Sequence, residues 1–302
     1  MESREYHIPV LLDECLEGLQ IDPNGVYVDV TFGGGGHSRA IVERLDAGKL
    51  FAFDQDEDAL KNAIDHPGFK LIFQNFRYLR NNLAMYGQKQ VDGILADLGV
   101  SSHQFDTAER GFSIRYEGPL DMRMNQSAPI SAADVLNTYS EDDLVSVFSN
   151  YGEVHNSKTL ARKVVSLRGE SPFETTEGLV DILKTMVRGK QTNKYLAQVF
   201  QALRIEVNDE MASLREFLQQ AEKVLKPGGR LVVITYHSLE DRLVKQFINN
   251  GDFIKEPLKD DFGNKLVSFK KVNKKPILPT ESELQRNTRS RSAKLRIAEK
   301  LE

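Results

Sequence analysis

The stretch VYVDVTFGGGGHSRAIVERL, residues 26–45, decides the fold. Residues 26–32 form a short β-branched and aromatic run of the kind that makes a buried strand. Four consecutive glycines then lead into a segment in which Ile41, Val42 and Leu45 recur at helical spacing. The unit is strand, glycine turn, helix, and the chain repeats its logic. Residues 50–53 (LFAF) predict a second strand ending at Asp54, residues 58–64 a second helix, residues 71–73 a third strand and residues 91–96 (VDGILA) a fourth strand ending at Asp97. Crossovers of this length join parallel neighbours. Much later, residues 214–225 read as helix, Lys226-Pro-Gly-Gly as a turn and residues 230–235 (RLVVIT) as a buried strand. The expected core is therefore an α/β, Rossmann-like open sheet drawn from both ends of the chain.

Between the two halves the pattern changes to helical segments broken by Gly and Pro, with Ser140-x-x-Asp143 and Ser171-x-x-Glu174 as N-terminal capping boxes. This predicts a helical insertion over residues 106–195, with residues 1–105 and 196–302 forming the core. Ligands of open α/β sheets bind outside the carboxyl ends of the strands, so an insertion rooted just after Asp97 is expected to overhang the site.

With 302 residues, 40% hydrophobic, 28% charged and a mean hydropathy of −0.41, the composition is that of a globular protein. No window approaches the roughly 18 uninterrupted apolar residues of a membrane span, and the N-terminal apolar stretch carries acidic residues, so neither a leader nor a membrane partner is expected. Cys15, the single cysteine, can form no intrachain disulfide and offers no zinc-ligand spacing; its simplest reading is a small buried side chain in a cytoplasmic protein. No clustered ligands point to a metal. The net charge is −4, yet three runs are basic: Lys184, Arg188, Lys190, Lys194 and Arg204; Lys265, Lys270, Lys271, Lys274 and Lys275; and Arg286, Arg289, Arg291, Lys294 and Arg296. Charge runs usually mark solvated faces, but three in an acidic chain favour a polyanionic partner.

A glycine turn lets backbone approach a ligand, although by itself it is equally a tight strand–helix connection. Asp54 lies 18 residues beyond Gly36 at the end of the next strand, close to the roughly 20-residue spacing at which a carboxylate accepts from ribose hydroxyls. Together they indicate an adenosine-type ligand, either a dinucleotide or S-adenosyl-L-methionine. A hydride enzyme also needs a proton donor beside its nicotinamide, for which only His37 and His103 offer themselves. Asp29, Gly33–Gly36, Asp54, Phe76 and Asp97 fall where a class I methyltransferase needs backbone, a ribose acid, an adenine wall and an acceptor-site strand end.

The chain resembles the bacterial 16S ribosomal RNA cytosine-N4 methyltransferases, the MraW or RsmH family. The resemblance rests on segments spread over nearly the whole length, including His7-Ile-Pro-Val-Leu-Leu-Asp-Glu, Asp29-Val-Thr-Phe-Gly-Gly-Gly-Gly-His-Ser, Asp97-Leu-Gly-Val-Ser-Ser, Gly118-Pro-Leu-Asp-Met-Arg-Met, Phe200-Gln-Ala-Leu-Arg-Ile-Glu-Val-Asn, His237-Ser-Leu-Glu-Asp-Arg and Ser290-Arg-Ser-Ala-Lys-Leu-Arg. It implies a class I S-adenosylmethionine-dependent methyltransferase core with an inserted helical domain for RNA recognition. The same resemblance implies that Gly35, Gly36 and His37 line the methionine end of the cofactor, Asp54 binds its ribose, Phe76 flanks its adenine, and Asp97 and Gln104 complete its contacts. The implied acceptor is a cytidine in the decoding region of 16S rRNA, presented by the 30S subunit to a monomer or homodimer. A helix-like segment over residues 290–300 is the part that could support a dimer.

Cytosine N4 is a poor nucleophile because its lone pair is delocalised into the ring, so positioning and acceptance of its protons dominate the chemistry. Asp97 is the expected catalytic acceptor, the alternative being that it only holds cofactor. A cytosine in folded RNA must also be unstacked to react. Phe112, Tyr116, the Asp121-Met-Arg-Met stretch and His237-Ser238 are candidates to receive it, with core packing and a hydrogen-bonded strand end as the alternatives. Arg110, Arg115 and Arg123 either contact phosphate or pair with Glu109, Glu117 and Asp121. Competing functions are a nicotinamide oxidoreductase and an RNA-binding assembly factor without turnover.

Overall fold

A computed structural model describes residues 9–254, 256–257 and 259–302, which leaves His7 and Ile8 of the first motif outside the described residues. In chain order the first elements are α1 (Leu12–Leu19), β1 (Val26–Asp29), α2 (Gly36–Val42), β2 (Lys49–Asp54), β3 (Phe69–Phe73), α3 (Leu79–Met85) and β4 (Val91–Asp97). Six helices follow: α4 (Ser102–Asp106), α5 (Ala132–Thr138), α6 (Glu141–Gly152), α7 (Ser157–Arg168), α8 (Thr176–Met186) and α9 (Thr192–Val207). The chain closes with α10 (Glu210–Val224), β5 (Leu225–Thr235), α11 (Ser238–Asn250), β6 (Phe269–Lys271), α12 (Glu281–Arg286) and β7 (Lys294–Lys300).

Seven strands make one sheet in the order β3-β2-β1-β4-β5-β7-β6. The five strands from β3 to β5 run parallel, and β7 runs antiparallel to both β5 and β6. Runs of successive buried residues, Gly93–Ala96 in β4 and Leu231–Thr235 in β5, show that both faces of the central strands are covered. On one face Cys15, Leu16 and Leu19 of α1 pack with Leu95, Val232, Ile234, Leu295 and Ile297.

The polypeptide divides into two compact units, residues 1–99 with 211–302, and residues 100–210. The boundary expected at 195/196 falls inside α9, whose Tyr195, Leu196, Val199, Phe200 and Leu203 belong to the same core cluster as Phe148, Leu160 and Leu179. An apolar stripe on one unbroken helix cannot be shared between two cores, so the second unit keeps the whole helix.

Local chemistry accounts for the helix starts in that unit. Ser140 caps α6 by accepting from the Asp143 amide, as expected, and Glu141, Asp142 and Asp143 place negative charge against the helix N-terminus. The other expected cap is displaced: Thr175, not Ser171, accepts from the Gly178 amide at the start of α8. Ser131 and Asp134 form a reciprocal box on α5.

Three expectations in the sheet unit are corrected. The helix expected over residues 58–64 is a short 3-10 helix over Glu57–Asn62, begun by Asp56, whose side chain accepts from the Asp58 amide. Residues 226–229 form a bulge within β5: Leu225 stands opposite Val91 and Arg230 opposite Gly93, so the four intervening residues loop past Asp92. The segment expected to be helix-like near the C-terminus is a 3-10 turn over Thr288–Ser292 followed by β7, whose Leu295 and Ile297 alternate into the core.

Phe148 is fully buried at the centre of the second unit. Replacing it with alanine should destabilise that unit by about 3–5 kcal/mol, the usual result of deleting a core phenylalanine. Urea denaturation followed by circular dichroism of the intact chain would register this as an earlier helical transition.

Candidate active site at the carboxyl ends of the parallel strands

Three aspartates end three adjacent strands: Asp54 on β2, Asp29 on β1 and Asp97 on β4. Asp29 is buried and fully engaged. Its Oδ2 accepts from the Ser38 hydroxyl at 2.7 Å, and its Oδ1 accepts from the Thr31 amide at 3.0 Å and the Thr31 hydroxyl at 3.3 Å. Thr31 Oγ1 in turn accepts from the Asp97 amide at 2.6 Å, which ties the ends of β1 and β4 together.

The glycine turn is folded around Asp54. The Gly33 amide donates to Asp54 Oδ2 at 2.7 Å and the Asp56 amide to Oδ1 at 2.8 Å. Gly33 and Gly35 have φ of 50° and 77°, left-handed values that suit glycine. The absent side chains at Gly35 and Gly36 face the protein itself: a Cβ would meet the Phe32 ring at 2.9 Å in one case and Pro9 at 2.4 Å in the other. What these glycines can offer a ligand is therefore backbone. Gly34 opens onto free space, and Asn62 Nδ2 fixes the turn by donating to the Gly33 carbonyl at 3.1 Å.

Asp97 sits in a ring of donors. The Tyr236 hydroxyl donates to its Oδ1 at 2.7 Å, and His37 Nδ1 lies 3.8 Å from its Oδ2. His37 Nε2 is 3.0 Å from the Val10 carbonyl, which can only accept, so that nitrogen carries a proton. Burial pushes the Asp97 carboxyl up to about 6, against the opposing pull of His37 and Tyr236. Asp54 is likewise raised to about 6 by burial, opposed by the Asp56 and Gly33 amides. The Tyr236 phenol is held well above its usual range by burial and by Asp97. Burial and the same carboxylate also keep Cys15 a thiol, which agrees with its reading as a small buried side chain.

Phe76 follows β3, half-buried, with its ring held edge-on 5.4 Å from Phe217, while the neighbouring Arg77 makes a bidentate pair with Glu216. The structure thus brings Gly35, Gly36, His37 and Asp97 to one end of the sheet, with Asp54 and Phe76 at the same edge. Gln104 belongs to the second unit, where it is buried and its amide oxygen accepts from the Ser101 amide in a capping box.

The candidate base-pocket residues separate cleanly. Phe112, Met122 and Met124 are core of the second unit. Arg110 is buried and donates to the carbonyls of Arg123 and Met124, and Arg123 forms a bidentate pair with Asp121. Arg115 and Tyr116 remain exposed. His237 caps α11: its Nδ1 accepts from the Glu240 amide, and Glu240 Oε2 accepts from the amides of Tyr236 and His237. This box fixes the turn that aims Tyr236 at Asp97. Sequence reasoning does not find Tyr236 or Thr31, although each lies within or beside a quoted motif, because no spacing rule singles out a hydroxyl that serves another residue.

The donor set fits S-adenosylmethionine. Each Asp54 oxygen has accepted one backbone proton and keeps a lone pair for a ribose hydroxyl, the turn presents backbone beside open space at Gly34, and Phe76 supplies an apolar ring.

Residues 4–301 match the family model described as the MraW methylase family. A relative from Christiangramia forsetii, named ribosomal RNA small subunit methyltransferase H, is 57% identical over 298 residues, covering 98% of each chain. Proteins of the same name from Flavobacterium johnsoniae and Bacteroides fragilis (strain YCH46) are 57% and 55% identical over 300 residues, covering 99% of each chain. Among solved structures, an rRNA methylase from Streptococcus thermophilus aligns with a TM-score of 0.40 and 15% identity over 96% of this chain and 94% of that one. NSun6 from Pyrococcus horikoshii with SFG aligns at 0.44 and 14% over 100% and 56%. The chain belongs to the MraW methylase family.

Proposed function

We propose that this S-adenosylmethionine-dependent rRNA methyltransferase modifies N4 of a cytidine in the decoding region of 16S rRNA within the small ribosomal subunit. Full-length relatives named as small-subunit rRNA methyltransferases support the class of acceptor. The observation that carries the chemistry is Asp97: a carboxylate at the end of β4, raised to about 6, with one oxygen held by Tyr236 and the other turned toward His37.

When bound, S-adenosylmethionine would supply an electrophilic methyl group, its methyl–sulfur bond breaking as the methyl–N4 bond forms, with S-adenosylhomocysteine as the leaving group. In this reading the Asp54 carboxylate accepts from the ribose hydroxyls, the backbone of Gly35, Gly36 and His37 borders the amino-acid end, and Phe76 covers the adenine. Asp97 uses its remaining lone pairs to accept hydrogen bonds from the N4 amine, which orients the nitrogen lone pair for in-line transfer. As the new C–N bond forms, N4 gains positive charge and becomes strongly acidic. A carboxylate near 6 is well placed to take the released proton and return it to solvent at neutral pH.

Small subunits from cells lacking the protein, incubated with methyl-labelled cofactor, should yield label in N4-methylcytidine after nucleoside digestion; label in another nucleoside would overturn the choice of acceptor atom. Asp97→Asn should bind S-adenosylhomocysteine within about threefold of the native affinity yet lose transfer by about 100-fold or more, the range for removal of a proton acceptor. A parallel loss of binding would return Asp97 to a cofactor-holding role.

The ionised form of Asp97 is the active one, so activity should fall as pH drops through about 6. Tyr236→Phe removes a hydrogen bond made to that ionised form, so the acid limb of the pH–rate profile should move upward by roughly one unit. An unmoved limb with a lower plateau would show that Tyr236 acts on packing alone.

A further inference from the structure

We propose that residues 274–291, between β6 and β7, form a docking surface for the phosphodiester backbone of the substrate RNA, lying in the sheet unit beside the acceptor end of the strands. The inference rests on the reading that the acceptor is RNA and adds where its backbone is held.

The charge of the segment is unlike that of the chain. With the adjoining strand β6 it holds seven cations, Lys270, Lys271, Lys274, Lys275, Arg286, Arg289 and Arg291, against two carboxylates, in a protein of net charge −4. All seven cations are exposed. Of the two acids, Glu283 is buried and its carboxylate accepts from the Leu11 amide at 2.7 Å, so only Glu281 faces solvent. Several cations elsewhere in the sheet unit are neutralised, Arg77 by Glu216, Lys226 by Asp92, Arg230 by Glu299, and Arg296 and Lys294 by Asp241. Among the described residues, Lys270, Lys271, Lys274, Lys275, Arg286 and Arg291 make no ion pair.

Register places the Lys274–Lys275 end of this charge toward the site, while Lys270, opposite Glu299 and through it Arg230 and Gly93, lies toward the amino ends of the parallel strands. Asp97 stands opposite Ile234, Ile234 opposite Leu295, and Leu295 bridges to Ile277. Residue 277 is therefore level with Asp97 three strand spacings away, about 14 Å, a distance that a few nucleotides can span. A second tether reaches the same place: Glu283 holds the Leu11 amide, the neighbouring Val10 carbonyl accepts from His37, and His37 faces Asp97. The helix that carries Arg286 is thus linked to the acceptor site through four residues.

Lysines also protect a sheet edge from pairing with another chain, which accounts for Lys270 and Lys271 on β6. Edge protection does not account for Lys274, Lys275, Arg286 and Arg291, which lie off the strand. Unpaired exposed cations arranged beside an RNA-modifying site release counterions when they meet phosphate, and this drives backbone affinity without reading sequence.

The test is a four-residue variant, Lys274→Gln, Lys275→Gln, Arg286→Gln and Arg291→Gln, in the full chain. Binding is measured to small subunits and to 16S rRNA across a salt series, with S-adenosylhomocysteine affinity as the readout of an intact fold. The expected result is at least tenfold weaker RNA binding at about 0.15 M salt, with the slope of log K against log salt reduced by about 0.7 for each phosphate that is no longer neutralised. KM for the particle should rise by a similar factor while kcat at saturation and S-adenosylhomocysteine affinity stay within about twofold. Native-like affinity and slope in the variant overturn the surface while leaving the RNA reading intact. Native protein that binds neither particle nor rRNA overturns both. Loss of binding to the particle with unchanged binding to 16S rRNA shows a ribosomal-protein contact instead and overturns the phosphate assignment.

Discussion

The structure depends on satisfying three carboxylates crowded at one end of a parallel sheet. Strands β2, β1 and β4 are neighbours, and Asp29 stands opposite Ala52 and Leu95, two residues short of Asp54 and Asp97, so the three carboxylates gather at one end of the sheet where burial makes an unpaired charge costly. Each must find donors nearby, and the surrounding chain is shaped by that need. Thr31 and Ser38 turn inward to Asp29, the glycine turn folds back so that Gly33 donates to Asp54, and Tyr236 reaches over to Asp97. The degree of satisfaction separates their roles. Asp29 spends both oxygens inside the protein and braces the loop. Asp54 and Asp97 are satisfied less fully, their carboxyls are raised to about 6, and they retain accepting capacity for a ligand.

That division explains why much of the site is legible in the sequence. Strand ends announce themselves when a run such as LFAF or VDGILA stops at an aspartate, and a glycine run after a strand is hard to read as anything but a turn. The same local signals locate the five parallel strands. They fail where the decision is not local. Residues 294–300 carry alternating basic and apolar side chains in a segment with a helix-like look, but pairing with β5 on one side and β6 on the other makes them a strand. Ser171 has the composition of a cap, yet the helix begins after Thr175, because residues 174–176 are held extended against residues 118–120, the Leu120 amide donating to the Glu174 carbonyl and the Thr176 amide to that of Gly118.

Side-chain partnerships are less legible still. Position along the chain puts Asp54, Phe76 and Asp97 at the carboxyl ends of the strands, and the family resemblance adds His37. Neither reveals the hydroxyls of Thr31 and Tyr236, since each acts on a residue 66 or 139 positions away. His237 illustrates the converse. A strand-end histidine beside a site invites a substrate role, but its ring and its Glu240 partner form the capping box that sets the path of the chain through Tyr236. Its effect on chemistry then passes through the geometry of its neighbour.

The discontinuous layout couples assembly to activity. β4 ends at Asp97, while its partner β5 and the Tyr236 hydroxyl come from beyond residue 210. The insertion's core is drawn from about one hundred contiguous residues, so it can form before the second half of the sheet exists. Asp97 acquires its Tyr236 donor only once β5 has paired with β4, and β7, the last strand, covers the other side of β5. The same late segment carries α12, which holds Leu11, and Val10 beside it holds His37. Closure of the C-terminal strands therefore sets both donors around Asp97 at once, and a chain that has not completed its sheet lacks the electrostatic environment that tunes the acceptor carboxylate.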